Sequence, residues 1–320
     1  MRERYAGFDF GSYETKICGR NQEIFHEKTM LVIEEESGRP VCFGNQAYEY
    51  YEKSPEGYQL ILPVQEGKIY DLSALKIFTA LLAQKYRIGR KTNVYLAVPG
   101  QISQIEQRAY EEIFQETKVK KEHVMLSRRP LAEAAGAGLP MKEPYARAIA
   151  DIGSQTMEIS VLASEGIIAG RMFGMGSRWL DDMIALQVKK RSQIQIGGRS
   201  SERLKLEWAK EKKMQLIKGL DLAAGLPIEA RIQVSWIGEL FEEFFGMVAD
   251  SIKELIEKLP AAAAADLIEH GICLTGGGAG LSGIAAYLEK ELLIPVWNGG
   301  TERDTAILGI RQWITKDREN

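Results

Sequence analysis

One four-residue pattern occurs twice in this chain, as Asp9-Phe-Gly-Ser12 and as Asp151-Ile-Gly-Ser154, 142 residues apart. Each copy closes an apolar run, Tyr5–Phe10 or Ala146–Ile152, that reads as a buried strand. Each is followed by another strand-like segment. That argues for a β-hairpin turn and against Rossmann and P-loop arrangements, in which the glycine turn opens a helix. Two α/β halves built this way would set two Gly/Ser turns across one cleft. Such turns gather backbone N–H groups into a concavity that binds anions. An Asp at each strand end can hold magnesium, directly or through its waters. On the residues alone a second reading stands beside this one: Asp9 and Asp151 cap turns, and Gly11 and Gly153 supply positive φ angles.

The 320 residues suggest about two domains. Lys and Arg number 41 against 44 Asp and Glu, a net charge of −3, which lacks the basic surplus of a nucleic-acid binder. The three cysteines, Cys18, Cys42 and Cys273, form no Cys-x-x-Cys pair, and His occurs only three times, so a structural zinc site is not expected. Sparse, odd cysteine usage suits a reducing cytoplasm. The longest uncharged stretch, Gly271 to Leu288, holds six glycines and reads as strand, loop and helix rather than a membrane span.

Periodicity supplies the rest of the frame. Helices are expected over Ser73–Gln84, from the capping box Ser103-Gln-Ile-Glu106 to about Glu116, and over Arg129–Ala137, Ser177–Lys190, Ser200–Lys212 and Ile237–Leu259. Strands are expected at Asn93–Val98, Met157–Ala163, Gly166–Phe173, Met214–Leu220, Ile228–Val234 and Ile272–Thr275, with a turn at Gly19-Arg20-Asn21. Gly276-Gly277-Gly278-Ala279-Gly280 follows the last strand; it reads as a nucleoside contact or as a tight turn. Glu202 and Lys205 share a helix face, where they would bracket an adenosine or form a solvated ion pair.

Taken in order, these motifs resemble the MreB family of bacterial actin homologues. The resemblance rests on Gly7-Phe-Asp-Phe-Gly-Ser12, Pro63 to Asp71, Val98-Pro99, Arg129-Pro-Leu-Ala-Glu-Ala-Ala-Gly-Ala-Gly-Leu-Pro140, Ala150-Asp-Ile-Gly153, Ser201-Glu-Arg-Leu-Lys205 and Leu274-Thr-Gly-Gly-Gly-Ala279, and it covers about residues 5 to 312. It implies an α/β actin-like fold of two lobes, duplicated mixed-sheet domains flanked by helices, with a nucleotide cleft between them. Lobe I would be residues 1–145 plus 311–320, with a small subdomain inserted at about 31–75. Lobe II would be 146–310, with an insert at about 176–250. The resemblance also implies ATP or ADP with magnesium. Gly11, Ser12, Tyr13 and Lys16 would meet the phosphates from one hairpin, and Gly153, Ser154, Gln155 and Thr156 from the other. Glu202, Lys205 and Gly276 to Gly280 would meet the adenosine, and Asp9 and Asp151 would hold the metal through water. Implied partners are further copies of the chain in a filament, other MreB-type filaments and the cell-wall synthesis machinery, in the cytoplasm at the inner face of the membrane.

Three departures qualify the resemblance. The family carries a glutamate just before the Pro of the Ala-rich helix, which orients the attacking water; here that position is Arg129. A guanidinium has five donors and no acceptor, so hydrolysis is expected to be weak or absent unless another group positions the water. Arg129 would instead hold the γ-phosphate or pair with Glu133. Ser154 and Gln155 replace glycines and would crowd the second turn, and Glu14 sets a carboxylate in the first. The basic loop Tyr86–Lys91 offers anionic lipid a weak attraction at most. An adaptor resembling PilM or FtsA is the alternative function.

Overall fold

The computed structural model describes all residues except 1–3, 20, 54, 210–212, 301 and 320. Two five-stranded sheets carry the two copies of the repeat. In the first, Arg4–Phe10 runs parallel to Thr92–Val98, which runs parallel to Val124–Arg128. On its other side Arg4–Phe10 pairs antiparallel with Glu14–Cys18, and that strand with Ile24–Lys28. The second sheet repeats this order and these directions. Arg147–Ile152 is parallel to Ile272–Thr275, which is parallel to Val296–Asn298, and Met157–Ala163 and Gly166–Phe173 follow antiparallel. The short sequence repeat is thus the visible part of a duplicated sheet.

Each sheet buries a face against helices. Phe8, Val94 and Leu96 meet Leu75, Phe78 and Leu82 of the helix Leu72–Lys85. Ala148, Ala150 and Ile159 share a core with Phe241, Phe244 and Val248 of the helix Ile237–Ile256. Two three-stranded sheets stand apart from these, one around Leu31–Glu34 and one of Ile194–Gln195, Met214–Asp221 and Leu226–Gln233.

A close helix crossing ties the chain's last helix back to its first half. Thr305–Glu319 lays Ile307, Ile310 and Ile314 against Tyr5, Cys18, Ala97 and Ala132. It also crosses the helix Arg129–Gly136 at two glycines. A Cβ at Gly309 would lie 1.8 Å from the Ala132 carbonyl oxygen, and one at Gly136 would lie 1.9 Å from that of Thr305. Backbone meets backbone there, which only glycine permits.

The Ser103 capping box forms as expected, but its helix ends at Glu112 rather than Glu116. The Glu202 helix spans Gly198–Glu207; residues 210–212, to which it was expected to extend, and Arg20 of the expected turn lie outside the described residues. All three cysteines are free. Among the described residues no helix is long and apolar enough to cross a membrane.

Candidate functional site

The two hairpins close with the same hydrogen bond. The Gly11 N–H donates to the Glu14 carbonyl at 3.1 Å, and the Gly153 N–H to the Thr156 carbonyl at 2.8 Å. A Cβ at either glycine would come within 3 Å of that same carbonyl oxygen, 2.7 Å at Gly11 and 2.9 Å at Gly153. Both turns face one cavity of about 450 Å³. Its wall includes Asp9, Gly11, Ser12, Tyr13, Lys16, Arg129, Asp151, Gly153, Ser154, Gln155, Thr156, Glu202, Lys205, Gly276 and Gly277. Gly278, Ala279 and Gly280 are not on it. Gly278 and Ala279 are buried behind the wall, and a Cβ at Gly278 would lie 2.4 Å from the Ile152 Cγ2. Packing on the end of the strand, rather than a ligand, requires glycine there. Gly276, at φ +79°, sits so close to the Asp151 carboxylate that a Cβ would fall 2.2 Å from its Oδ1.

The cavity floor is densely charged. Lys16 Nζ lies 3.3 Å from Asp9 Oδ2, and Arg129 Nε donates to Asp9 Oδ1 at 3.1 Å. Arg129 also donates from Nη2 to the Phe10 carbonyl at 3.2 Å. Burial pushes the Asp9 carboxyl up, but Lys16 and Arg129 outweigh it and hold it below the usual range. Arg129 is therefore directed at Asp9 rather than at Glu133, the other partner considered for it, and Glu133 neighbours Asp151 instead. Burial raises both members of that carboxyl pair, Glu133 well above its ordinary value. Glu158 is pushed up to about 7 by burial, against the pull of Arg129 and of the Gly100 N–H that donates to its Oε1 at 2.6 Å. Four carboxylates, Asp9, Glu133, Asp151 and Glu158, thus surround two cations.

At the mouth, the Tyr13 hydroxyl donates to Glu202 Oε2 at 2.8 Å, and the Tyr48 hydroxyl approaches the same oxygen at 3.5 Å. Lys28 Nζ stands 3.6 Å from the centre of the Tyr13 ring. Lys205 is buried and bonds to Asp181 Oδ2 at 2.8 Å. Glu202 and Lys205 so have separate partners and do not form the solvated pair. The tips of both hairpins are tied to one short turn: Ser12 Oγ accepts from the Gly67 N–H at 3.1 Å and Gln155 Oε1 from the Glu66 N–H at 2.8 Å. The Gln155 side chain reaches across to that turn. Glu14 lines the cavity with its charge compensated by Arg303 and Lys28 and with His26 Nδ1 hydrogen-bonded to its Oε2 at 3.0 Å.

Sequence reasoning passed over Lys28, Tyr48, Tyr51, Arg178 and Arg303, which also line the cavity, and the buried Glu158; it named Glu133 only as a partner for Arg129. One signal was available for Glu158. Extending the repeat by four residues past Ser12 and Ser154 sets Lys16 against Glu158. The structure makes these equivalent: Lys16 is paired across its hairpin with Asp9, and Glu158 with Asp151.

A cavity of this size falls within the roughly 300–1,000 Å³ of small-molecule sites. The paired turns, Lys16 beside them and the open approach to Gly277, where a Cβ would meet nothing within 4 Å, fit a nucleotide. The carboxylates fit direct ligation of magnesium less well. Both Asp9 oxygens face cations, and burial raises the Asp151 carboxyl above its ordinary value. Among the described residues no group of three or more His, Cys, Asp or Glu could hold a metal ion.

Comparison with known proteins shows the family and the fold. The family model described as MreB/Mbl protein matches residues 3–320. The cell shape-determining protein Mbl of Bacillus subtilis is 26% identical over 319 residues, covering 97% of this chain and 95% of that protein. The cell shape-determining protein MreB of Escherichia coli K12 is 28% identical over 302 residues, 90% of this chain and 86% of that protein. Among solved structures, MreB5 of Spiroplasma citri bound to ADP superposes with a TM-score of 0.91 at 22% identity, over 99% of this chain and 98% of that one. A MamK double helical filament gives 0.78 at 17% identity, over 97% and 98%. The fold is that of the bacterial actins, and the chain belongs to the MreB/Mbl family.

Proposed function

We propose that this protein is a nucleotide-binding, filament-forming cytoskeletal protein of cell-shape control that hydrolyses ATP slowly. The observation that carries the reading is the pair of hairpins, closed by the same hydrogen bond and facing one cavity with Arg129 at its floor. Backbone N–H groups around Gly11–Tyr13 and Gly153–Thr156, with Lys16, would hold the phosphates. Glu202, Lys205, Gly276 and Gly277 would hold the adenosine. Magnesium would arrive with the phosphates and meet Asp151 through water. The nucleotide supplies a γ-phosphoryl group whose presence or loss distinguishes two states of the cleft. Arg129, bonded to Asp9, cannot accept a hydrogen bond from water, which supports slow turnover.

Self-association is supported by the relatives, of which MamK is solved as a filament. The lobes would divide near residue 145, with the last helix returned to lobe I from its start at Thr305, because its isoleucines pack on that sheet. Electron microscopy of the purified protein with and without ATP tests the reading. Filaments support it. A protein that stays monomeric at tens of micromolar, with nucleotide and with lipid, supports the adaptor role instead.

A further inference from the structure

We propose that Arg178 binds the phosphate chain of the nucleotide from the wall of the cleft, as a third anchor beside the two hairpins. The inference rests on the nucleotide reading of the cleft and adds to it a residue that neither hairpin contains.

The charges of the cavity wall single Arg178 out. The other cations on that wall are each paired with a carboxylate: Lys16 and Arg129 with Asp9, Lys28 and Arg303 with Glu14, and Lys205 with Asp181. A cation paired in this way attracts a further anion weakly, because the two opposite charges largely cancel at a distance. Arg178 is half-buried on the same wall and makes no ion pair among the described residues. Asp182, one turn on in its helix and also on the wall, is not paired with it either. Its partner is neutral: Nη2 donates to the Tyr51 hydroxyl at 2.8 Å. The wall thus holds one guanidinium whose charge no carboxylate compensates.

The backbone sets that guanidinium within reach of the second hairpin. The helix Arg178–Ser192 starts on the hairpin turn, with the Ser177 N–H donating to the Gly153 carbonyl at 2.9 Å and the Arg178 N–H to the Ser154 carbonyl at 2.8 Å. The side chain therefore leaves the backbone beside the turn that would hold phosphate. As the first residue of its helix, Arg178 also sets a cation at the positive end of the helix dipole, a placement that an adjacent anion would relieve. A guanidinium carries five N–H donors in one plane, and two of them match two oxygens of one phosphate. Tyr51 takes a hydrogen from Nη2, while Nε and Nη1 have no protein partner among the described residues. The tyrosine holds the fork on the wall and leaves donors for the ligand.

Affinities for magnesium-ATP, magnesium-ADP and adenosine, with the melting temperature in the absence of nucleotide, test the assignment on wild type, Arg178→Met, Arg178→Lys and Tyr51→Phe. Arg178→Met is expected to weaken ATP binding at least about tenfold, the scale of one lost charge-assisted contact. Adenosine, which has no phosphate, should bind it within about twofold of wild type. Its melting temperature should not fall, since the lost cation stands at a helix N-terminus. Arg178→Lys keeps the charge without the fork and should lose less. Tyr51→Phe should bind ATP at least as tightly as wild type. An unchanged affinity of Arg178→Met for both ATP and ADP overturns the assignment. An equal loss for adenosine, or a loss matched by a lower melting temperature, marks a structural residue and overturns it too. So does a Tyr51→Phe variant that weakens as far as Arg178→Met, since Arg178 would then act only by pinning Tyr51. A wild type that binds neither ATP nor adenosine overturns the nucleotide reading first, and the assignment with it.

Discussion

Arg129 shows how a residue legible in a sequence acquires its meaning from partners that are not. The sequence marks it as a substitution for a glutamate; its partner, Asp9, lies 120 positions away. Because it offsets a buried carboxylate cluster, Arg129→Met is expected to cost about 3–5 kcal/mol, the usual penalty for removing one partner of a buried pair. Urea denaturation measures it. Restoring glutamate at this position would put a fifth carboxylate into the cluster, so that exchange is expected to destabilise further rather than simply revive hydrolysis. Glu158 makes a pH prediction. In the folded chain it holds its proton up to about 7, against an ordinary value of 4.5. Between those values the native state binds more protons than the unfolded state, so this group's contribution makes stability fall as pH rises through that window. Asp9, Asp151 and Arg129 face the same group, and Glu158→Gln should flatten that part of the profile.

At the scale of elements, the hairpins were legible because glycine and acid sit at strand ends in a fixed pattern. Most longer helices were legible because their apolar faces repeat every three to four residues. Tyr58–Ile61, Val124–Arg128 and Val296–Asn298 were not, since strands of three to five residues between loops carry too short a pattern. In the glycine run at 276–280 the sequence alone does not separate roles, because packing against Ile152, as at Gly278, and approach to a ligand both select glycine. The helix crossing was not legible either: Gly136 stands among small residues, but Gly309 stands between Leu308 and Ile310 in an ordinary apolar helix face. Gly309→Val is expected to lose about 3 kcal/mol or more, because its side chain would meet the Ala132 carbonyl rather than a side chain that could move. Thermal or urea unfolding of that variant measures the loss.

Across the whole molecule, hydrogen bonds span the mouth of the cavity. Tyr13 bonds to Glu202, Arg178 Nη2 donates to the Tyr51 hydroxyl at 2.8 Å, and the Gly198 N–H donates to the Glu52 carboxylate at 2.9 Å. These contacts join segments more than a hundred residues apart, which no local pattern encodes. A ribose hydroxyl that takes Glu202 Oε2 competes with the Tyr13 hydroxyl for that oxygen. A hydrogen bond to a charged group contributes about 1.5–3 kcal/mol, so Tyr13→Phe is expected to tighten ATP binding about tenfold, read by fluorescence titration. The central claim, that this cleft is a nucleotide site, is tested most directly by the melting temperature of the wild-type protein as magnesium-ATP is added. Ligand that binds only the native state stabilises it by about 2.7 kcal/mol at 100 times Kd, so the transition is expected to move upward continuously with ATP concentration. A melting temperature unmoved by millimolar magnesium-ATP would contradict the account.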